Sequence, residues 1–243
     1  MIHSTLNAFR FIMLSLVKIM STYLYSFQQE WISPPPKSWN DVSVILILNH
    51  TSLFEFIYSM CLPFNYLWEV SKRLILPVAD KTLRHPISGL CFRLLAPKLI
   101  ALTRKRDQSW KDFLSQIKPY DICIFMPEGR MKRTTGFDQF GNPMTVRKGV
   151  FELLERYKGQ NMVIVYSKGL HHVFAPGQKY PRFFKKIHAK FELQSVDDFL
   201  NQFPTADLVR DELEKRRDTH CSEETYQEQD SSLKKNLQKQ PHT

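Results

Sequence analysis

The chain has 243 residues, 43% of them apolar and 24% charged, which is enough for a real core and too mixed for a disordered or polytopic protein. Its net charge is +10; residues 205–243 carry a net −2, so the remainder carries +12. A body this basic points to nucleic acid, a membrane surface or anionic substrates, and no zinc-finger spacing, RNP pattern or basic heptad supports nucleic acid.

Residues 2–29 open the chain with an amphipathic pattern. At 100° per residue, Ser4, Asn7, Arg10, Ser15, Lys18, Ser21, Thr22, Gln28 and Gln29 fall within an arc of about 140°. Leu6, Phe9, Ile12, Leu16, Ile19, Met20 and Tyr23 fill the other side, while Phe11, Leu14 and Tyr25 stray into the polar arc. Arg10 and Lys18 interrupt a run that a spanning helix or a signal peptide would keep apolar. The pattern predicts a helix lying in a membrane interface, with its cations among headgroups. The alternative is a helix of the globular core. Ser33-Pro34-Pro35-Pro36 then forms a stiff connector, so residues 1–32 read as an anchoring segment.

From residue 37 the pattern changes. Val42–Leu48, Leu99–Thr103, Ile122–Met126 and Met162–Tyr166 are short apolar runs that suit buried strands. Ile187–Leu193 alternates and adds a further strand. Helical candidates lie at 52–61, 84–95, 108–117 and 147–157. Strands alternating with helices predict an α/β domain over 37–204, with a mostly parallel central sheet flanked by helices. Residues 205–243 read as a charged helix end and a disordered tail, polar after about residue 218.

Several chemistries are excluded by spacing. None of the eight Gly forms a G-x-G pair or precedes Lys-Ser or Lys-Thr, so neither a dinucleotide fingerprint nor a P-loop exists. No Ser occupies a G-x-S-x-G elbow. The four Cys form no C-x-x-C pair and read as reduced thiols of a cytosolic compartment. His171-His172 lacks the partners of a metal site, because chain neighbours point apart, so no metal is expected.

Two polar clusters follow buried strands directly: His50, and Pro127-Glu128-Gly129-Arg130. In open α/β sheets ligands bind beyond the carboxyl ends of strands, so these clusters can share one rim. Glu55 lies five residues after His50, a spacing that does not face in a continuous helix. A His50–Glu55 dyad therefore needs His50 in the strand-to-helix turn. Ser52-Leu53-Phe54-Glu55 is also an S-x-x-E capping box, in which Glu55 accepts the Ser52 amide. Taken alone, the local sequence favours the capping box.

Family blocks favour the dyad. Asn49-His50-Thr51-Ser52-Leu53-Phe54-Glu55 resembles the N-H-x4-D block of the glycerolipid acyltransferases, the 1-acylglycerol-3-phosphate and lysophospholipid acyltransferases. Lys81–Gly89 resembles that family's K-x-L-x-x-x-P-x-x-G segment, one residue shorter. Leu99–Arg104 resembles its second motif, with Arg104 at the phosphate-binding Arg, and Phe125–Arg130 resembles F-P-E-G-T-R. Arg147-Lys148-Gly149 resembles the stretch before the fourth motif, whose Pro is missing from Met162–Tyr166.

The resemblance covers roughly residues 40–170 and implies an acyltransferase. His50 would be the general base and Glu55, in place of the usual Asp, its partner. Arg104, Glu128, Gly129 and Arg130 would form the acceptor or phosphate site, with Arg130 or Lys132 taking the family Arg role. No cofactor is implied; the acyl donor would be acyl-CoA or acyl-ACP and the acceptor a lysophospholipid-type hydroxyl. The basic-aromatic stretch Lys179–Lys190 and the first helix point to an anionic membrane surface, hence monotopic attachment at the cytoplasmic face. The rival is a membrane-binding scaffold that keeps the fold and has lost catalysis, with Glu55 as its sign.

Overall fold

The computed structural model describes residues 2–52, 54–84, 86–103 and 108–221. Helix α1 (Ile2–Leu24) runs into strand β1 (Ser26–Trp31), and β2 (Val42–Leu48) follows the proline connector. A 3-10 segment (Glu55–Cys61) leads to α2 (Phe64–Arg73), β3 (Leu74–Ala79), α3 (Asp80–Arg84), α4 (Pro86–Leu95) and β4 (Lys98–Leu102). Next come α5 (Gln108–Gln116), β5 (Ile122–Phe125), α6 (Gly149–Glu155) and β6 (Asn161–Ser167). The described chain ends with α7 (His171–Phe174), β7 (Lys186–Ser195), α8 (Val196–Gln202) and α9 (Ala206–His220).

One seven-stranded sheet has the order β1-β7-β6-β2-β5-β3-β4. Every pairing is parallel except β6 with β7. The sheet is therefore mostly parallel and flanked by helices, as the alternation of elements implies. β2 sits near its centre and every residue of it is buried. Ile45 and Ile47 face the layer of α1, the 3-10 segment and α2; Val44, Leu46 and Leu48 face the layer of α5, α6, α8 and α9.

Two strands escape the sequence reading. β1 occupies residues expected to continue the first helix, which stops at Leu24. Gln28, Gln29 and Glu30 have no objection to a helix, but their backbone pairs in parallel with β7, a partner about 160 residues away that local pattern cannot reveal. β3 carries Pro77, which argues against a strand. The proline is tolerated because β5 pairs with Leu74 and Ile75, leaving Pro77 beyond that ladder. The expected helix over 52–61 forms as the shorter 3-10 segment, and the one over 84–95 is split between α3 and α4. The tail expected after residue 218 lies outside the described residues beyond Cys221; up to His220 the chain is helical.

Helix α1 is oriented opposite to a core helix. Phe11, Leu14 and Tyr25, the residues that stray into the polar arc, face the protein together with Lys18 and Ser21. Lys18 Nζ donates to the Met60 carbonyl at 2.5 Å, and the Phe11 ring meets Trp68 edge-on. The apolar arc is turned outward: Leu6, Phe9, Ile12, Leu16, Met20 and Tyr23 are all exposed, Tyr23 at 81%. No helix among the described residues is long and apolar enough to cross a membrane.

Because Leu46 is fully buried in the central strand, Leu46→Ala should destabilise the fold by about 2–5 kcal/mol, read from the midpoint of urea unfolding.

Candidate active site

β2 and β5 lie side by side with Leu46 opposite Phe125; three residues further on, the chain reaches Asn49 on one strand and Glu128 on the other. Both clusters singled out in the sequence therefore meet at the carboxyl rim of the sheet. Asn49 leaves the strand with φ +64°, a turn conformation that Asn tolerates. Its side-chain amide donates to the Ser167 carbonyl at 2.9 Å. The His50 carbonyl accepts from the Lys132 amide at 2.7 Å, and Thr51 Oγ1 accepts from the Leu170 amide at 2.7 Å. The turn is thus fixed from β6, from the segment after β5 and from α7.

His50 stands outside the helix, as a dyad requires. Its Nδ1 donates to Glu55 Oε2 in a short contact. The other carboxylate oxygen, Oε1, accepts the amides of Thr51 at 2.9 Å and Ser52 at 3.3 Å. The two readings of Glu55 are therefore not exclusive: one oxygen meets the imidazole while the other caps the turn. Ser52 Oγ accepts the Phe54 amide at 3.0 Å and donates to the Phe174 carbonyl at 2.8 Å. Glu55 is 2% exposed. Burial by itself would lower the His50 pKa; the charge and hydrogen bond of Glu55, with Glu128 behind, outweigh it and leave His50 above its ordinary 6.5.

Glu128 is not among the residues that line the cavity described below. It is 1% exposed, and its carboxylate takes the amides of Asn49 at 3.1 Å and His50 at 2.7 Å. Arg217 of α9 approaches the same group at 3.3 Å. Gly129 adopts φ +65° and gives its N–H to the Met126 carbonyl at 3.1 Å, closing a turn, so it contributes shape and not a free donor. Arg130 ion-pairs with Asp138 and lies over the Phe140 ring, 5.7 Å from its centre. Arg104 lies outside the described residues.

A cavity of about 550 Å³ begins at His50, Ser52 and Glu55 and includes the ends of three other strands, at Ala79, Thr103 and Gly129. Arg130, Arg147 and Lys148 line its polar part. Its interior is apolar, bounded by Ile45, Ile47, Leu67, Val70, Val165 and Phe191. Arg147 was missed as a site residue, although it stands in a recognised block. Its stem packs over Gly129, and its amide donates to the Pro127 carbonyl at 2.8 Å. Burial and the nearby Arg130 charge lower its guanidinium pKa, with Asp138 acting the other way.

This arrangement can remove a proton. A neutral imidazole whose Nδ1–H is held by a carboxylate offers Nε2 as the base, and the same carboxylate stabilises the imidazolium that forms. No group of three or more His, Cys, Asp and Glu among the described residues could hold a metal. His171 and His172 each donate Nε2–H to a separate backbone carbonyl, of Lys132 at 2.7 Å and Lys186 at 2.6 Å.

The family described as Acyltransferase matches residues 30–167, from β1 through β6 and including every element that shapes the His50 turn but α7 and α9. The chain belongs to the Acyltransferase family. Its fold is similar to that of the 1-acyl-sn-glycerophosphate (LPA) acyltransferase PlsC from Thermotoga maritima, with a TM-score of 0.55 at 15% identity over 88% of this chain and 75% of that one. No curated protein matches the sequence.

Glu55→Gln keeps an acceptor for the turn amides and removes the charge that raises His50. A raised folded pKa means that the pair stabilises fully below the unfolded value near 6.5 and loses that contribution as pH rises through the folded value. The stability gap between parent and Glu55→Gln should therefore be widest in mildly acidic buffer and shrink toward alkaline pH, as urea unfolding across a pH series would measure.

Proposed function

We propose that this acyltransferase-family protein moves a fatty acyl group from a pantetheine thioester, acyl-CoA or acyl-ACP, to the hydroxyl of a lysophospholipid or glycerol-phosphate-type acceptor. The observation that carries the reading is the His50–Glu55 pair at the polar mouth of a deep apolar cavity. An alcohol is a weak nucleophile at neutral pH. His50 Nε2 takes the hydroxyl proton as the oxygen attacks the thioester carbonyl, and Glu55 stabilises the imidazolium. Collapse of the tetrahedral intermediate breaks the C–S bond, and the imidazolium returns the proton to the departing thiolate. No enzyme nucleophile takes part. The apolar interior suits an acyl chain. Arg130 and Arg147 at its mouth supply the guanidinium groups that a phosphate-bearing acceptor needs.

The scaffold reading drew on Glu55 in place of Asp. The longer side chain reaches Nδ1 and caps the turn at once, so the replacement gives no ground for lost chemistry. Purified protein incubated with labelled acyl-CoA or acyl-ACP and a panel of lysolipids tests the proposal. The parent should form acylated product, and His50→Ala should lose about 10²–10⁴ in rate while remaining folded. Equal rates for the two, or an inactive parent with every donor and acceptor, would reject it.

We also propose that the protein sits on an anionic bilayer through the outward apolar arc of α1. Phe64 and Trp68 of α2 extend that surface. At the end of α1, the Phe184 amide donates to the Leu24 carbonyl at 2.8 Å, which brings the basic-aromatic stretch beside Tyr23. Phe184 is 80% exposed there, among Lys179, Arg182 and Lys185. Such a mixture of apolar side chains and cations suits a headgroup boundary. Ile12→Glu with Met20→Glu should leave the fold intact and abolish sedimentation with phosphatidylserine vesicles. Undiminished sedimentation would move the main contact to the Lys179–Lys190 stretch.

A further inference from the structure

We propose that Arg217, on α9 and outside the span that matches the family, is a positioning residue for the transfer site: it is the countercharge that seats the buried Glu128 side chain beneath the His50 turn. The inference rests on the acyl-transfer reading for its kinetic consequence and on geometry for its structural one. Glu128 is buried, and a buried charge is costly unless it is paired and hydrogen-bonded. Both of its oxygens are in use, Oε1 for the Asn49 amide and Oε2 for the His50 amide. Without Arg217 the buried carboxylate loses its countercharge and turns toward water, and one of the two amide bonds is lost. The His50 turn would then shift relative to the cavity.

Arg217 Nη1 lies 3.3 Å from Oε1 and also donates to the Met144 carbonyl at 3.0 Å. One turn earlier on the same face of α9, Glu214 accepts the Val146 amide at 2.7 Å. Helix α9 therefore holds the segment leading to Arg147 as well as the group beneath His50. Arg217 is itself 13% exposed, so water screens this pairing weakly.

The test uses the full chain carrying Arg217→Met, Arg217→Lys, Glu128→Gln and the Arg217→Met/Glu128→Gln pair. Arg217→Met should lower kcat about tenfold or more with donor and acceptor KM little changed, because misplacement by about 1 Å can cost up to 10² in rate. Arg217→Lys, which keeps the charge, should recover most of it. The neutral amide introduced by Glu128→Gln needs no countercharge, so in that background Arg217→Met should cost less than about threefold. Hydrogen exchange at the Asn49 and His50 amides should accelerate in Arg217→Met and not further in the pair. Where Arg217→Met fails to fold, Arg217→Gln gives the same readings. Parent kcat and parent amide protection in the neutral Arg217 variant, or equal losses in both backgrounds, would overturn the proposal. A parent inactive on every substrate would reject the acyl-transfer reading alone, since amide exchange still decides the role of Arg217.

Discussion

The His50 turn depends on a buried carboxylate that accepts two backbone amides. Glu128 leaves β5 where Asn49 and His50 leave β2 and takes both of their amides. Those N–H groups have passed the end of the ladder, and without an acceptor each would be a buried unpaired donor. Satisfying them with one rigid group fixes the position of the His50 Cα. Glu55 then fixes its ring from the other side. Backbone and side chain of one residue are thus held by two different carboxylates, and that residue lines the cavity.

The two carboxylates also act together on the charge of His50. Burial disfavours the imidazolium, while Glu55 in contact and Glu128 nearby favour it, and the carboxylates prevail. A base tuned upward holds a proton more firmly, which would suit the alcohol deprotonation proposed for His50. Arg217 places a positive charge against the second of these carboxylates.

Much of this was legible in the sequence, for an identifiable reason. Strands buried on both faces appear as continuous apolar runs, so β2, β5 and β6 announce themselves; the half-buried edge strand β4 shows as a run of the same kind, and the residues after these strands form one rim by topology alone. Glu55 could be placed beside His50 by the family block it stands in, but its double use depends on two oxygens that sequence cannot separate. Glu128 was read as part of the acceptor site because its block suggests it; its actual partners include a backbone turn 79 positions earlier and an arginine 89 positions later. Contacts of that range leave no local pattern. The same limit hid β1, whose pairing partner lies near the other end of the domain. Arg147 was hidden differently: a basic pair before a helix resembles a solvated surface until its stem is seen packed over Gly129.

The inverted packing of α1 links the outer surface to the chemistry. A core helix would turn its apolar arc inward, yet the protein takes the narrower stripe of Phe11, Leu14, Lys18 and Ser21. The reason is geometric: that stripe seats on the 3-10 segment that begins with Glu55, with Lys18 reaching the Met60 carbonyl. Leu14 goes further and forms part of the cavity wall that also includes His50. One helix therefore closes the site with one stripe and offers a broad apolar face to its surroundings with the other. If that face lies on a bilayer, the cavity is held next to the acyl region, and a chain can enter it without its methylenes crossing water. Each methylene spared that passage avoids about 0.8 kcal/mol, so a helix that docks the fold also lowers the barrier to loading it.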